Sequence, residues 1–145
     1  MSKRIKVALA GLGSRGKDTY APTAKLFPEK MEIVAIADID PEKVKAVAAE
    51  YQIPEEMIAR EKLADVMFIT TQDRQHVGQA IPALRKGYHL LLEKPISPDL
   101  DECREIVKVA QECDRKVIVC HVLRYTPFYT KIKDLIDEGT IGEIV

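Results

Sequence analysis

The sequence predicts an α/β fold in which a doubly wound, parallel sheet is covered by helices. Short apolar runs alternate with longer segments that carry apolar residues at helical spacing, which is the pattern of βαβ units. A glycine-rich turn directly follows the first apolar run, and a Glu-Lys-Pro sequence directly follows the fourth. Because open α/β sheets bind ligands at the carboxyl ends of their strands, these two features predict a binding site at that edge.

Five apolar runs have the length of strands in such a sheet. They cover residues 5–10, 32–37, 66–70, 89–92 and 117–122.

Four amphipathic helices are predicted between and after these strands, because apolar residues recur there at spacings of three and four. The first starts after Pro41, the second ends before Gly87, and the third is entered through residues 97–99. The fourth has Thr126 as its N-cap and Pro127 at its first position.

Three stretches fit this pattern less well. Pro22 falls inside the helix expected after the glycine turn and should kink or end it near Ala21. Residues 53–63 are too short for a strand and a full crossover helix, so this connection is abbreviated or incomplete. Residues 141–145 resemble the start of a new strand, so we expect the chain to stop inside a second domain.

Composition argues against several classes of function. The 145 residues suit one domain with a core of its own, and a formal net charge of −1 attracts neither nucleic acid nor an anionic membrane. No apolar stretch is long enough to cross a bilayer or to form a signal peptide, so a cytoplasmic location is expected. The three cysteines are expected to be buried, reduced thiols, and the three scattered histidines predict no metal site.

The glycine-rich turn has the pattern Gly-x-Gly-x-x-Gly of dinucleotide-binding folds. Gly11 permits the tight turn, Gly13 lets the main chain approach a pyrophosphate, and Gly16 allows close packing of helix on sheet. The helix N-terminus, at Ser14 and Arg15, offers free N–H groups to the phosphates. The alternative is a turn that binds nothing, but its position between a strand and a helix favours the phosphate site.

The acid at the end of the second predicted strand indicates which dinucleotide binds. Asp38 follows Gly16 by about 20 residues, the interval expected for a carboxylate that binds the adenosine ribose. A carboxylate repels a 2′-phosphate, so NAD is favoured over NADP. Asp40 competes for this role, but its place before Pro41 suits a helix cap better. Arg15 keeps NADP open, since a guanidinium near the ribose could accept a 2′-phosphate.

Lys94 is the candidate catalytic residue. It stands between Glu93 and Pro95 at the end of a predicted buried strand. An ammonium group there can bind a substrate oxygen and stabilise charge as a hydride leaves or arrives. The alternative is an ordinary surface lysine.

Further polar residues follow the third and fifth predicted strands at the same edge. They are Thr70, Thr71, His76, His121, Arg124 and Tyr125. For His76, capping or packing competes with a role in the site. Of the last three residues, at least one is expected to touch cofactor or substrate.

These residues resemble the N-terminal half of the Gfo/Idh/MocA oxidoreductases, a family named for glucose–fructose oxidoreductase, inositol dehydrogenase and a rhizopine-catabolism protein. The resemblance covers essentially the whole chain, and Glu-Lys-Pro in this setting is specific for the family. The matching residues are Gly11, Gly13, Gly16, Asp38, Thr70, Thr71, His76, residues 87–89, Glu93, Lys94, Pro95 and residues 124–127.

The resemblance implies a two-domain enzyme that oxidises a secondary hydroxyl of a sugar, cyclitol or related polyol, or runs the reverse reduction. Residues 1–123 would be its Rossmann domain, which binds NAD(P). Residues 124–145 would be a connecting helix and the start of a C-terminal domain that carries much of the substrate pocket and often the oligomer interface. The usual acid/base, frequently a histidine, comes from that second domain, so this chain alone is expected to be inactive.

The resemblance also implies roles for individual residues. Lys94 lies beside nicotinamide and substrate, and Glu93 lies near the nicotinamide ribose. From their place after the last predicted strand, and not from the resemblance, His121 and Tyr125 are candidates for substrate contact. The expected cofactor contacts are Gly11, Gly13, Ser14, Arg15, Gly16, Asp38, Thr70, Thr71, His76, Glu93, Lys94 and Arg124.

Two alternatives share the resemblance. NAD-dependent glycosidases of similar fold use transient oxidation to promote elimination. A galactose-pathway co-repressor of similar fold uses bound dinucleotide for regulation and has no enzymatic role. The presence of Lys94 favours chemistry over regulation.

Overall fold

The computed structural model describes residues 3–53 and 62–144. These residues form one parallel sheet with the strand order β2-β1-β3-β4-β5. The strands are β1 (Ile5–Ala10), β2 (Met31–Ala37), β3 (Val66–Ile69), β4 (His89–Leu92) and β5 (Val117–Val119). Each strand lies in or overlaps one of the predicted apolar runs, although β5 ends at Val119 and the predicted run extended to residue 122. The predicted parallel α/β sheet is confirmed.

The described residues form five α-helices around the sheet. They are α1 (Ala21–Leu26), α2 (Pro41–Tyr51), α3 (His76–Arg85), α4 (Leu100–Glu112) and α5 (Pro127–Asp137). The four predicted amphipathic helices correspond to α2, α3, α4 and α5. Asp40 caps α2 by accepting hydrogen bonds from the N–H groups of Glu42 and Lys43, as expected. Thr126 is the N-cap residue of α5, but its hydroxyl donates to the Leu123 carbonyl and caps no N–H group.

The helix after the glycine turn continues through Pro22. Gly16–Tyr20 is a π-helical turn, and α1 follows it directly at Ala21. The Ala21 N–H donates to the Gly16 carbonyl, five residues back, and Pro22 then lies in the first turn of α1, where its missing N–H is tolerated. Of the two predicted effects of Pro22, an end of the helix near Ala21 is therefore wrong, and the irregularity near Ala21 is a change from π-helical to α-helical hydrogen bonding.

Two apolar clusters cover the two faces of the sheet. On one face, Ile69 and Leu92 belong to a cluster that includes residues of α3 and α4. On the other face, Leu9 and Ile36 belong to a cluster that includes residues of α1 and α2. Helices on both faces make the fold doubly wound and leave the strand ends as the place for a ligand.

Several other expectations concern the connections and termini. The predicted short connection at 53–63 falls mainly on residues 54–61, which lie outside the described residues. The predicted strand at 141–145 does not form in residues 141–144, and residue 145 lies outside the described part. The domain boundary after residue 123 stays a prediction.

The three cysteines, Cys103, Cys113 and Cys120, are free thiols as expected, but each is only partly buried. Among residues 3–53 and 62–144, every helix falls short of the length and apolarity of a membrane span. The same residues bring together no group of three or more His, Cys, Asp or Glu side chains that could hold a metal ion.

Candidate functional site

The carboxyl edge of the sheet contains a topological switch point. From β1 the chain passes to β2 on one side, whereas β3 pairs with β1 on the other side. In open α/β sheets a crevice forms at such a point, and ligands bind in it. The glycine turn follows β1, Thr70 and Thr71 follow β3, and Glu93 and Lys94 follow β4. The topology therefore brings most of the predicted site residues to one edge.

Close contacts with main chain require glycine at two positions of the turn. Gly11 has a φ of +91°, and a Cβ atom there would lie 2.8 Å from the carbonyl carbon of Thr70. A Cβ atom on Gly16 would lie 2.0 Å from the carbonyl oxygen of Gly11. Thr70 is buried, and its hydroxyl donates to the carbonyls of Ala10 and Gly11. Its side chain thus fixes the turn, and its predicted contact with a cofactor stays a prediction.

Gly13 differs from these two glycines because its surroundings are open. A Cβ atom there would meet nothing within 4 Å, and both Gly13 and Ser14 are exposed. The Lys17 N–H donates to the Gly13 carbonyl at 2.8 Å, which starts the helical hydrogen bonds. The N–H groups before Lys17 thus lie in the first turn, where helices lack internal partners and bind anions.

Asp38 joins the end of β2 to the glycine turn. Its Oδ2 atom accepts a hydrogen bond from the Leu12 N–H at 2.6 Å, and Oδ1 accepts one from the Asp40 N–H at 2.9 Å. The residue is partly exposed. Since a carboxylate offers about four lone-pair sites, Asp38 keeps capacity to accept further hydrogen bonds, such as those from ribose hydroxyls.

Glu93 is a buried carboxylate that accepts hydrogen bonds from three groups. Its Oε1 atom accepts from Arg15 Nε at 2.9 Å and from the Tyr20 hydroxyl at 2.7 Å, and Oε2 accepts from the Lys94 N–H at 3.3 Å. Burial alone would raise the pKa of Glu93. The hydrogen bonds from Tyr20 and Arg15 and the charge of Arg15 outweigh burial, so the pKa lies below its ordinary value. Glu93 is therefore ionised at neutral pH.

The Arg15 side chain reaches the carboxylate that follows β4. Its hydrogen bond with Glu93 raises the pKa of Arg15, and the guanidinium is held at the end of β4. Asp38, which follows β2, instead accepts its hydrogen bonds from the Leu12 and Asp40 N–H groups. Arg15 is thus engaged by Glu93 and not by the carboxylate that would mark the adenosine ribose.

Tyr20 belongs to this cluster but was not among the predicted residues. Its ring packs edge-to-face on Phe68, with ring centroids 5.3 Å apart, and its hydroxyl also contacts Cys120 Sγ. Burial raises the pKa of the Tyr20 phenol, and Cys120 and Glu93 raise it further, so the phenol remains a proton-bearing donor. No sequence motif marks Tyr20, because its direction depends on the π-helical turn that it ends.

Lys94 is exposed, and its main chain is held on both sides. Its N–H donates to Glu93, and the next carbonyl, that of Pro95, lies 2.8 Å from His76 Nδ1. In the described parts of the chain, the Lys94 ammonium group has no hydrogen-bond or ion-pair partner. The arrangement fixes the backbone and leaves the charged group accessible.

His76 is fully buried, and both of its ring nitrogens lie next to main-chain carbonyls. Its Nδ1 atom lies 2.8 Å from the Pro95 carbonyl oxygen, and Nε2 lies 3.2 Å from that of Thr71. The ring thus connects the loops after β3 and β4, which is the packing role that competed with a role in the site, and the predicted cofactor contact stays a prediction. Thr71 is partly exposed, and its hydroxyl donates to Gln79 at 2.8 Å.

His121, Arg124 and Tyr125 follow β5 and are all exposed. The Cys120 N–H donates to the Leu92 carbonyl, which places this segment beside the end of β4. Arg124 and Tyr125 lie in the 3-10 helix Val122–Tyr125. Within the described residues these three side chains make no hydrogen bond, so their predicted contacts with cofactor or substrate stay predictions.

Comparisons with known proteins agree with this geometry. A family model described as "Oxidoreductase family, NAD-binding Rossmann fold" (GFO_IDH_MocA) matches residues 5–121. Inositol 2-dehydrogenase of Corynebacterium glutamicum (strain R) is 30% identical over 154 residues, which cover 100% of this chain and 44% of the relative. The uncharacterized oxidoreductase YdgJ of Escherichia coli (strain K12) is 30% identical over 146 residues, which cover 99% of this chain and 42% of the relative.

A solved structure gives the same result. Scyllo-inositol dehydrogenase of Lactobacillus casei, crystallised with NAD(H) and scyllo-inositol, has a TM-score of 0.87 to this chain at 26% identity. The similarity covers 98% of this chain and 43% of that one. The chain thus spans less than half the length of each of these proteins.

Proposed function

Because the chain belongs to the Gfo/Idh/MocA oxidoreductase family, we propose that it forms the NAD-binding part of a dehydrogenase acting on a sugar, cyclitol or related polyol. The observation that carries this proposal is the exposed Lys94 ammonium on a fixed backbone, at the same sheet edge as the glycine turn. The relatives support the substrate class, since one is an inositol 2-dehydrogenase and one was crystallised with scyllo-inositol.

The residues at the edge fit a dinucleotide. Gly13 leaves the main chain of the turn open for a pyrophosphate, and Asp38 has lone pairs for ribose hydroxyls. We assign the adenosine end to Asp38 and the nicotinamide end to Glu93 and Lys94. When bound, nicotinamide supplies the hydride acceptor or donor of the reaction.

NAD is the proposed cofactor. The Asp38 carboxylate disfavours a 2′-phosphate by charge repulsion. The nearby cation that could offset this repulsion is Arg15, and its guanidinium is engaged by Glu93. A 2′-phosphate would therefore meet the negative charge of Asp38 and would have to compete with Glu93 for the Arg15 guanidinium.

Lys94 is the proposed catalytic residue. Its ammonium would donate a hydrogen bond to the oxygen of the reacting CH–OH group and stabilise the negative charge that develops there. Glu93 accepts a hydrogen bond from the Lys94 N–H, and His76 contacts the carbonyl of the next residue, Pro95. Because these contacts order the backbone of Lys94, little backbone reorganisation is needed when substrate binds.

We also propose that residues 1–123 are the dinucleotide-binding domain and that residues 124–145 connect it to a second domain. The family match ends at residue 121, and α5 has no buried residue, both of which support this boundary.

Calorimetric titration of the purified protein with NADH and NADPH tests the cofactor assignment. NADH is expected to bind more tightly than NADPH. Equal or tighter binding of NADPH would refute the choice of NAD, and no binding of either would refute a dinucleotide site. Reduction of NAD by the complete two-domain enzyme in the presence of inositols and hexoses, followed by absorbance, tests the substrate class, and absence of turnover with every polyol and sugar would refute it.

A further inference from the structure

We infer that Tyr20 is a positioning residue for the nicotinamide end of the site, where its hydroxyl holds the Glu93 carboxylate in the orientation that fixes Lys94. This inference rests on the function proposed above. Tyr20 itself need not touch the cofactor, because it acts through Glu93. The inference is independent of which polyol or sugar is the substrate.

The first argument is that Glu93 needs its donors. The residue is only 4% exposed, and a buried carboxylate is costly unless it is paired and hydrogen-bonded. Tyr20 makes the shortest of its hydrogen bonds, at 2.7 Å, whereas the bond from the Lys94 N–H is 3.3 Å long. Loss of the Tyr20 hydroxyl would leave a buried acceptor with one donor fewer.

The second argument is that Tyr20 is held independently of Glu93. Its ring packs edge-to-face on Phe68 of β3, and its backbone ends the π-helical turn Gly16–Tyr20. Such turns are rare and occur frequently at functional sites. Because the ring is fixed by these contacts, the hydroxyl reaches Glu93 from a defined position and can determine where the carboxylate lies.

The third argument concerns two other roles for Tyr20. If the ring served only to fill space against Phe68, the hydroxyl would be dispensable. If Tyr20 were a proton donor to substrate, its hydroxyl would have to be accessible, whereas it lies between Glu93 and Cys120. The observed contacts therefore favour a role for Tyr20 in positioning the Glu93 carboxylate over a role in packing or proton transfer.

The substitution Tyr20→Phe tests this role, because it keeps the ring and removes only the hydroxyl. Calorimetry would compare NADH with ADP-ribose, which lacks nicotinamide. We expect the affinity for NADH to fall about tenfold, the scale of one hydrogen bond to a charged group, while the affinity for ADP-ribose stays within about twofold. Tyr129→Phe is the matched control, since Tyr129 lies on α5 outside the site; it should change neither affinity.

A second measurement reports on Glu93 directly. Carbon NMR of glutamate-labelled protein, with Glu93→Gln used for assignment, follows the ionisation of this carboxyl. Loss of the Tyr20 donor should raise the pKa of Glu93. If Tyr20→Phe does not fold, Phe68→Leu still allows a test, because it removes the ring on which Tyr20 packs. The pKa of Glu93 should then rise and NADH should weaken more than ADP-ribose, and no change in either would contradict the inference.

The outcomes separate this inference from the proposed function. If wild-type protein binds neither ligand, the proposed function fails, and the Glu93 titration alone decides whether Tyr20 holds this carboxyl. If Tyr20→Phe binds both ligands like wild type and Glu93 titrates unchanged, the inference is wrong. Equal weakening of both ligands would also overturn it, because it would show a general structural role.

Discussion

Two glycines of one motif are expected to respond differently to substitution by alanine. Gly13→Ala should weaken dinucleotide binding and leave the fold intact, whereas Gly16→Ala should destabilise the fold. A Cβ atom on Gly13 would meet nothing within 4 Å, so Gly13→Ala should fold normally. Its free energy of unfolding should change by less than about 1 kcal/mol, the usual range of glycine-to-alanine changes at compatible sites. The new methyl group would occupy the space that we assign to the pyrophosphate, and NADH affinity should fall about tenfold or more.

Gly16→Ala should instead damage the fold. Its Cβ atom would lie 2.0 Å from the Gly11 carbonyl oxygen, and Gly11 cannot move easily because its own N–H donates to the Ala37 carbonyl at 2.8 Å. Overpacking of this kind costs about 3 kcal/mol or more when main chain must shift. For a chain of this size we expect the thermal midpoint to fall by roughly 10 °C.

Thermal unfolding followed by circular dichroism, together with calorimetric titration of NADH, measures both effects on the same samples. Gly78→Ala is a suitable control, since a Cβ atom there also meets nothing within 4 Å and Gly78 lies inside α3. If Gly13→Ala binds NADH like wild type, the pyrophosphate does not lie at Gly13. If Gly16→Ala is as stable as wild type, the close packing described at the turn is wrong.

Three further predictions follow from the same edge of the sheet. Lys94→Ala should lower turnover of the complete enzyme by about two orders of magnitude with little change in NAD affinity; weakened NAD binding with normal turnover at saturating NAD would instead mark Lys94 as a cofactor ligand. Asp38→Ala should narrow the difference between NADH and NADPH affinity in calorimetry, and an unchanged difference would remove Asp38 from the ribose site. The pKa of Glu93 is lower in the folded protein than its ordinary value of 4.5, so its contribution to stability is complete above that pH and is lost as pH falls through the folded pKa. Glu93→Gln should therefore flatten the acid side of the stability–pH curve below about pH 4.5, and an unchanged acid limb would contradict the network around Glu93.

The sheet could be predicted from the sequence because each strand is a separate apolar run. Buried parallel strands need apolar side chains on both faces, so β3 and β4 stand out against the charged helices around them. Local signals also sufficed at Asp40, where an acid before a proline predicts a helix cap that the structure confirms. The position of an irregularity near Ala21 was predictable from Pro22, but its form was not, because it depends on the hydrogen-bond pattern of the preceding turn, which a single residue does not reveal.

The candidate site could be predicted only in part. Motif spacing located the glycine turn, Asp38 and Lys94, because their position at strand ends follows from the topology. Spacing could not distinguish side chains that are exposed at the strand ends from buried side chains that stabilise the loops there. Thr70 and His76 match the family pattern, yet both are buried and contact main-chain carbonyls. Tyr20 was missed for the opposite reason, since it contacts Glu93 across the fold, and 73 positions separate the two in the chain.

The buried residues around Lys94 order its backbone before any substrate binds. Glu93 and His76 contact the backbone on either side of the Lys94 side chain, and both are buried. A lysine on a mobile loop would lose conformational entropy each time it met a substrate oxygen, whereas here the backbone is already ordered. Only the side chain of Lys94 must then be fixed in the transition state. The proposed rate effect of Lys94 therefore depends on Glu93 and His76, which act through its backbone, and their loss should lower turnover even at saturating dinucleotide.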